Sequence, residues 1–136
     1  MREISDCFVV GEAYKFLTEK KMTWDDLTKY PLVFPAHGST TRKLLDDCAS
    51  KNNVKFNPDL SLAGFTLVTE FTRIGFGIGF IAEDYIKEEL VTGKLYKLNV
   101  VPGIPKRNIG IAYSKINSPS FCTQKLIEII LDKNVF

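Results

Sequence analysis

Histidine is almost missing from this 136-residue sequence, where His37 stands alone, and cysteine is scarce, with only Cys7, Cys48 and Cys122. A single histidine leaves any acid–base catalysis resting on one ring, which counts against an enzyme and leaves no cofactor site in view. Three cysteines without a CxxC pair suggest neither a disulfide framework nor a zinc site, and a reducing cytoplasm is the expected compartment. HxxxH spacing and an acidic calcium loop are both lacking, so no metal site is read. There is no long apolar run either: Cys7 to Val10 is followed at once by Glu12 and Lys15, too short for a signal-peptide core or a membrane span. Nor is there an excess of one charge. Lys and Arg total 18 against 16 Asp and Glu, and no basic run is longer than Lys20-Lys21, so a nucleic-acid stripe is excluded.

What is present is enough apolar material, 45% of residues with 12% aromatic, for the core of one compact domain. Cys7 to Val10, closed by Gly11, reads as a short buried strand. Thr23 caps one helical turn with Asp25 and Asp26 in its first positions, and Pro31 forbids continuation. Leu32-Val33-Phe34 between two prolines predicts a buried strand. After Gly38, Ser39-Thr40-Thr41-Arg42 opens a helix with Leu44, Leu45 and Cys48 on its inner face, ending near Asn52-Asn53. Leu60 to Leu62 follows as a strand, then a helix from Phe65 to Ile74 with Leu67, Val68, Phe71 and Ile74 inward and Gly75 as its C-cap.

Phe76 to Ala82 reads as a core strand that something approaches closely, because glycines alternate with Phe and Ile. A helix from Glu83 to Leu90, a strand from Leu95 to Val101, a turn at Pro102 to Pro105 and a strand from Ile109 to Tyr113 come next. Ser118 caps a last helix with Pro119 at its first position and Phe121, Leu126, Ile127, Ile130 and Leu131 as the core face. Alternation of strands and helices predicts an α/β layered fold with a largely parallel sheet. The Pro/Gly break at Pro102 to Pro105 separates a final strand and helix from the middle of the chain.

Two motifs invite chemistry. Gly38 to Arg42, GSTTR, combines a glycine, three hydroxyls and the N–H groups of a helix start, a set that suits a carboxylate, sulfate or phosphate; ordinary helix capping is the alternative. Gly75-Phe76-Gly77-Ile78-Gly79 lies between a helix and a strand, the reverse of the order that a dinucleotide fingerprint requires, so it reads as a cap and a close backbone approach. His37 and Ser39 lack a third orienting group and the Gly-x-Ser-x-Gly elbow, so nucleophilic catalysis is not inferred.

Three stretches together resemble the effector-binding domain of LysR-type bacterial transcriptional regulators. They are YPLVFPAHGSTTRKLLDDC (Tyr30 to Cys48), TEFTRIGFGIGFIAEDYI (Thr69 to Ile86, with Ala82 where the family usually has proline) and the tail formed by GKLYKLNV with RNIGIAYSKINSPSFCTQKLIEII. The resemblance implies a periplasmic-binding-protein-like (type II) fold of two α/β lobes with a small effector between them. It assigns residues 6–10 to the end of the first lobe and a crossover, 30–94 to the second lobe, 95–100 to the return crossover and 107–132 to the C-terminal part of the first lobe. It further implies an effector, a carboxylate or other anion, touching Gly38, Ser39, Thr40 and Thr41, the turn Gly64-Phe65-Thr66, and His37 last. The family partners it implies are a homodimer or higher oligomer, and DNA only through an N-terminal helix-turn-helix that this chain lacks, along with the opening strand-helix-strand of the first lobe. No membrane partner is expected. A solute-binding protein of a transport system shares the fold and is the alternative, since fold does not decide function.

Overall fold

Prolines, glycines and hydroxyl caps set the element ends in the computed structural model, which describes residues 2–114 and 116–132. Strands β1 (Arg2–Ile4) and β2 (Asp6–Val10) lead to a 3-10 helix over Glu12–Glu19, β3 (Met22–Thr23), α1 (Trp24–Leu27), β4 (Leu32–Pro35) and α2 (Thr40–Lys51). There follow β5 (Leu60–Leu62), α3 (Phe65–Arg73), β6 (Ile78–Ala82), a 3-10 turn at Glu83–Tyr85 and α4 (Lys87–Thr92). Strands β7 (Tyr96–Lys97), β8 (Val100–Val101) and β9 (Arg107–Ile109) and helix α5 (Phe121–Asp132) complete the order. The chain divides into two compact units, Ser5–Pro105, and Met1–Ile4 with Lys106–Phe136.

In the larger unit a five-stranded sheet has the order β5-β4-β6-β2-β7. Strand β4 runs parallel to β5 and β6, whereas β2 runs antiparallel to β6 and β7. The sheet is therefore mixed and not largely parallel as expected. Alternation of strands and helices encodes direction only between neighbours joined by a crossover, and β2 meets β6 from about seventy residues away in sequence.

Both faces of this sheet are covered. Phe8, Val10, Phe34, Ile78 and Phe80 point to one side, where they pack with Trp24, Phe56 and Leu45 of α2. The Phe8 ring lies 4.9 Å from Phe80 and 5.3 Å from Trp24, the latter edge-on, a favourable aromatic geometry. The intervening residues Cys7, Val9, Val33 and Ile81 face the other way, toward Val68 of α3, Ile86 and Leu95. Strands β2 and β6 are buried throughout, and a strand covered on both sides takes apolar residues at nearly every position, Asp6 at the start of β2 being the exception.

Helix α3 turns Val68 inward as expected and packs Phe71 part-buried against the same cluster, but does not bury Leu67 and Ile74. Val68, Thr69 and Thr72 are its buried residues, while Leu67 and Ile74 are 48% and 68% exposed. The cause lies beneath it. A Cβ at Gly79 would collide with the Thr72 side chain, and one at Gly11 would come within 2.7 Å of the Thr72 carbonyl oxygen. The helix thus lies so close to the sheet that only small side chains fit between them, and the large apolar ones are displaced to its flanks. Gly75, at φ +90°, ends the helix in the left-handed conformation anticipated for it.

The Thr23 cap forms as expected: its hydroxyl accepts from the Asp26 N–H, and the Asp26 carboxylate accepts from the Thr23 N–H at 2.9 Å. That backbone hydrogen bond holds the Asp26 carboxyl below the usual carboxylate range. The single helix expected over Glu83 to Leu90 is instead broken, because fully buried Ile86 joins the 3-10 turn to α4 with a non-helical backbone. The strand expected over Leu95 to Val101 is likewise split. Leu98 N–H donates to the Phe8 carbonyl, and β8 leaves to pair in parallel with β3, where the Trp24 indole N–H donates to the Pro102 carbonyl at 2.8 Å.

In the smaller unit β1 and β9 form an antiparallel pair, Arg2 opposite Ile109. The strand expected over Ile109 to Tyr113 is confined to Arg107–Ile109, with no regular structure over residues 110–114. Ser120, and not Ser118, serves the helix start, accepting from the Thr123 N–H at 3.2 Å. Helix α5 buries no residue; Phe121, Leu126 and Leu131, expected in a core, are 73%, 57% and 56% exposed. A two-stranded ribbon offers too little surface to cover a helix.

Two outcomes follow from this packing. Gly79→Ala should destabilise the fold by about 1–3 kcal/mol through overpacking, and Thr72→Ala in the same chain should restore most of the loss; urea denaturation of the three variants checks this, and additive losses would refute the contact. Burial pushes the Cys7 thiol up to about 12 while its Sγ faces the Ile81 carbonyl. Its thiolate fraction at pH 8 is on the order of 10⁻⁴, so a thiol reagent should modify exposed Cys122 in the native chain and reach Cys7 only after denaturant is added.

Candidate functional site

Parallel strands β4 and β5 deliver the chain to two neighbouring helix starts. Pro35 ends β4, and the Ala36 N–H donates to the Leu62 carbonyl at 2.9 Å, tying the end of β4 to the end of β5. Gly38, at φ +93°, then reverses the chain into Ser39, the N-cap of α2. The Ser39 hydroxyl donates to the Ala36 carbonyl and accepts from the Arg42 N–H, both at 3.1 Å. Capping and binding were alternative readings of this turn, and the capping geometry is present.

His37, Gly38, Ser39 and Thr40 come together around a recess of about 330 Å³, with Arg42, Lys43 and Asp46 completing its wall. All four expected residues are exposed. Thr41 is not among them; it faces inward at 3% exposure. The lining carries Arg42 and Lys43 against Asp46, a surplus of one positive charge at a helix N-terminus, where the helix dipole also favours an anion.

Arg42 is the residue that the sequence reading did not single out. Its side chain is 4% exposed. Its Nε donates to both Asp46 carboxylate oxygens at 3.1 and 3.2 Å, and its Nη1 donates to the Pro35 carbonyl at 3.0 Å and to Ser61 Oγ at 3.4 Å. Its Nη2 lies 3.3 Å from His37 Nε2. The Arg42–Asp46 spacing of four residues, directly after a Gly-Ser helix start, was the available signal.

The second expected stretch sits elsewhere. Gly64, at φ +88°, precedes α3 without a side-chain cap. Phe65 and Thr66 line a separate hollow of about 170 Å³ with Thr69, Glu70, Tyr85 and Glu89. There the Phe65 ring stacks on Tyr85 at 4.2 Å, and Arg73 donates to Glu70 at 2.6 Å, holding the Glu70 carboxyl below its ordinary range. The two helix starts lie at the same ends of adjacent strands but do not share one recess. Among the described residues no group of three or more metal-ligating side chains occurs, and no helix is long and apolar enough to cross a membrane.

The chain is 24% identical over 123 residues to the HTH-type transcriptional activator CmpR of Synechocystis sp., which covers 90% of this chain and 40% of that protein. It is 21% identical over 126 residues to the HTH-type transcriptional regulator BbuR of Bordetella bronchiseptica, 93% of this chain and 38% of that one. It thus spans about 40% of the length of CmpR. Among solved structures, the CcmR regulatory domain of Synechocystis, in complex with 2-PG, superposes with a TM-score of 0.78 at 15% identity, covering 96% of this chain and 62% of that one. The effector-binding domain of QuiR, in complex with shikimate, gives 0.78 at 17% identity, covering 96% and 61%. These likenesses carry the fold, the type II periplasmic-binding-protein-like α/β arrangement. The family model of the LysR substrate binding domain matches residues 4–134, nearly the whole chain, and the protein belongs to that family.

Proposed function

We propose that this chain is the ligand-sensing part of a LysR-type transcriptional regulator and that its larger unit holds a small anion in the recess at the start of α2. The observation that carries the reading is the convergence of the α2 N-terminus, the exposed Thr40 and His37, and a net positive lining on one concave site. Oxygen-rich anions suit it, because a carboxylate, sulfate or phosphate accepts hydrogen bonds from backbone N–H groups, a hydroxyl and an ammonium without needing a donor of its own. The shikimate and 2-PG bound by QuiR and CcmR supply probes of this kind. DNA contact belongs to a helix-turn-helix outside these residues, and pairing of subunits is part of the same proposal. An effector biases such a regulator only by the difference in its affinity for two conformations.

Lys43, Thr40 and the turn at Gly38 are the contacts proposed in this recess, with Phe65 and Thr66 lining a second, separate surface. Thr41 is left out, since its side chain faces the core. Thermal denaturation of the 136-residue chain with 2-PG, shikimate or inorganic sulfate tests the reading. Ligand at about 100 times its Kd adds roughly 2.7 kcal/mol, which raises the melting temperature by several degrees. Thr40→Leu, at an exposed position, should still unfold in one cooperative transition without ligand and should lose the ligand-induced rise; a rise that survives the substitution sinks the assignment.

A further inference from the structure

We propose that Arg42 is a positioning residue that fixes His37 as its Nδ1–H tautomer, making His37 an uncharged, directional hydrogen-bond donor to the anion at the start of α2. The proposal rests on the anion-site reading given above for its ligand, but not for its tautomer.

The chemistry of the pair leaves one arrangement. A guanidinium has five N–H donors and no acceptor. A hydrogen bond between Arg42 Nη2 and His37 Nε2, 3.3 Å apart, therefore requires Nε2 to accept through its lone pair. A neutral imidazole whose Nε2 is an acceptor carries its proton on Nδ1.

Arg42 is the fixed partner and His37 the one that adapts. The guanidinium is anchored to α2 through Asp46, to the end of β4 through the Pro35 carbonyl and to β5 through Ser61. It also lies 6.0 Å from the centre of the Phe34 ring. His37 is exposed on a turn. A side chain held from three elements sets the tautomer of an exposed one on a turn, as outer hydrogen-bond partners do for histidines elsewhere.

The neighbouring hydroxyl explains why this matters for binding. Ser39 Oγ has only one proton, and that proton goes to the Ala36 carbonyl while one lone pair takes the Arg42 N–H. Ser39 cannot then donate to a ligand without giving up its bond to the Ala36 carbonyl. The His37 Nδ1–H supplies a donor in its place and discriminates by sign: it matches carboxylate, sulfate or phosphate oxygens and leaves an ammonium ligand facing a donor.

Because His37 is the only histidine, every imidazole resonance of the labelled protein belongs to it. A long-range ¹H–¹⁵N spectrum of the ¹⁵N-labelled 136-residue chain at pH 8.5, without ligand, should show a protonated, pyrrole-like Nδ1 and a pyridine-like Nε2; the reverse pattern overturns the lock. Arg42→Gln should shift the ring toward the Nε2–H form common in free histidine. An unchanged spectrum in that variant removes Arg42 as the cause, and Arg42→Met, which has no hydrogen-bond donor, serves as the second variant if the glutamine variant does not fold. For the donor role, calorimetry with 2-PG and with inorganic sulfate compares His37→Phe, expected to weaken binding about tenfold, with His37→Asn, whose amide N–H should retain most of the affinity. Equal affinity of His37→Phe and the parent chain overturns that role. Failure of both probes to bind the parent chain overturns the anion site, while the ligand-free spectrum still decides the tautomer.

Discussion

The larger unit depends on one constraint: its central strands are apolar on both faces and must be covered on both. Strands β2 and β6 expose nothing, and each face needs its own layer. On one side bulk does this, with Phe8, Phe34, Phe56, Phe80 and Trp24 packed against α2. On the other, closeness does it. Gly11 and Gly79 remove the side chains that would hold α3 away, and Thr72 settles into the space. The Thr72 hydroxyl stays compatible with complete burial because it donates to the Val68 carbonyl at 2.7 Å.

Covering the sheet in this way also builds the site. Helices laid over parallel strands must start beyond the strand ends, so α2 and α3 begin near the ends of β4 and β5, where N–H groups and the positive end of each dipole are presented together. Binding crevices at the carboxyl ends of strands are a general property of such sheets. Arg42 belongs to the same construction. It brings a charge into a place that is nearly closed to water, a costly position unless its donors find acceptors. Asp46, Pro35, Ser61 and His37 accept from four of its five N–H groups, and one residue thus joins two strands, a helix and the turn at His37.

The smaller unit follows a different balance. Arg2–Ile4 and Arg107–Ile109 pair in good register, with Lys106 and Glu3 linked at 2.7 Å, but an exposed ion pair adds little and a two-stranded ribbon lacks a face to bury. Its helix carries Leu and Ile at helical spacing and still buries none of them. Amphipathic spacing states that a helix is able to be covered; whether it is covered depends on neighbours that the spacing does not contain.

What the residues alone determined was local. Pro31 and Pro35 bounded β4, Ser39 and Thr23 capped their helices, Gly75 ended α3, and the GSTTR turn marked a helix start, because each of these rests on the conformational limits of one residue and its near neighbours. The family resemblance, too, was carried by short motifs in a fixed order. Tertiary structure decided what depends on partners distant in sequence: the antiparallel direction of β2, the inward face of α3, the split of the segment from Leu95 to Val101 between two sheets, the burial of Thr41 beside exposed Thr40, and the hold of Arg42 on His37. Period and propensity describe a side chain's angle about its own axis, whereas burial and hydrogen bonding are settled by how closely another element approaches, and here two glycines far apart in sequence set that distance.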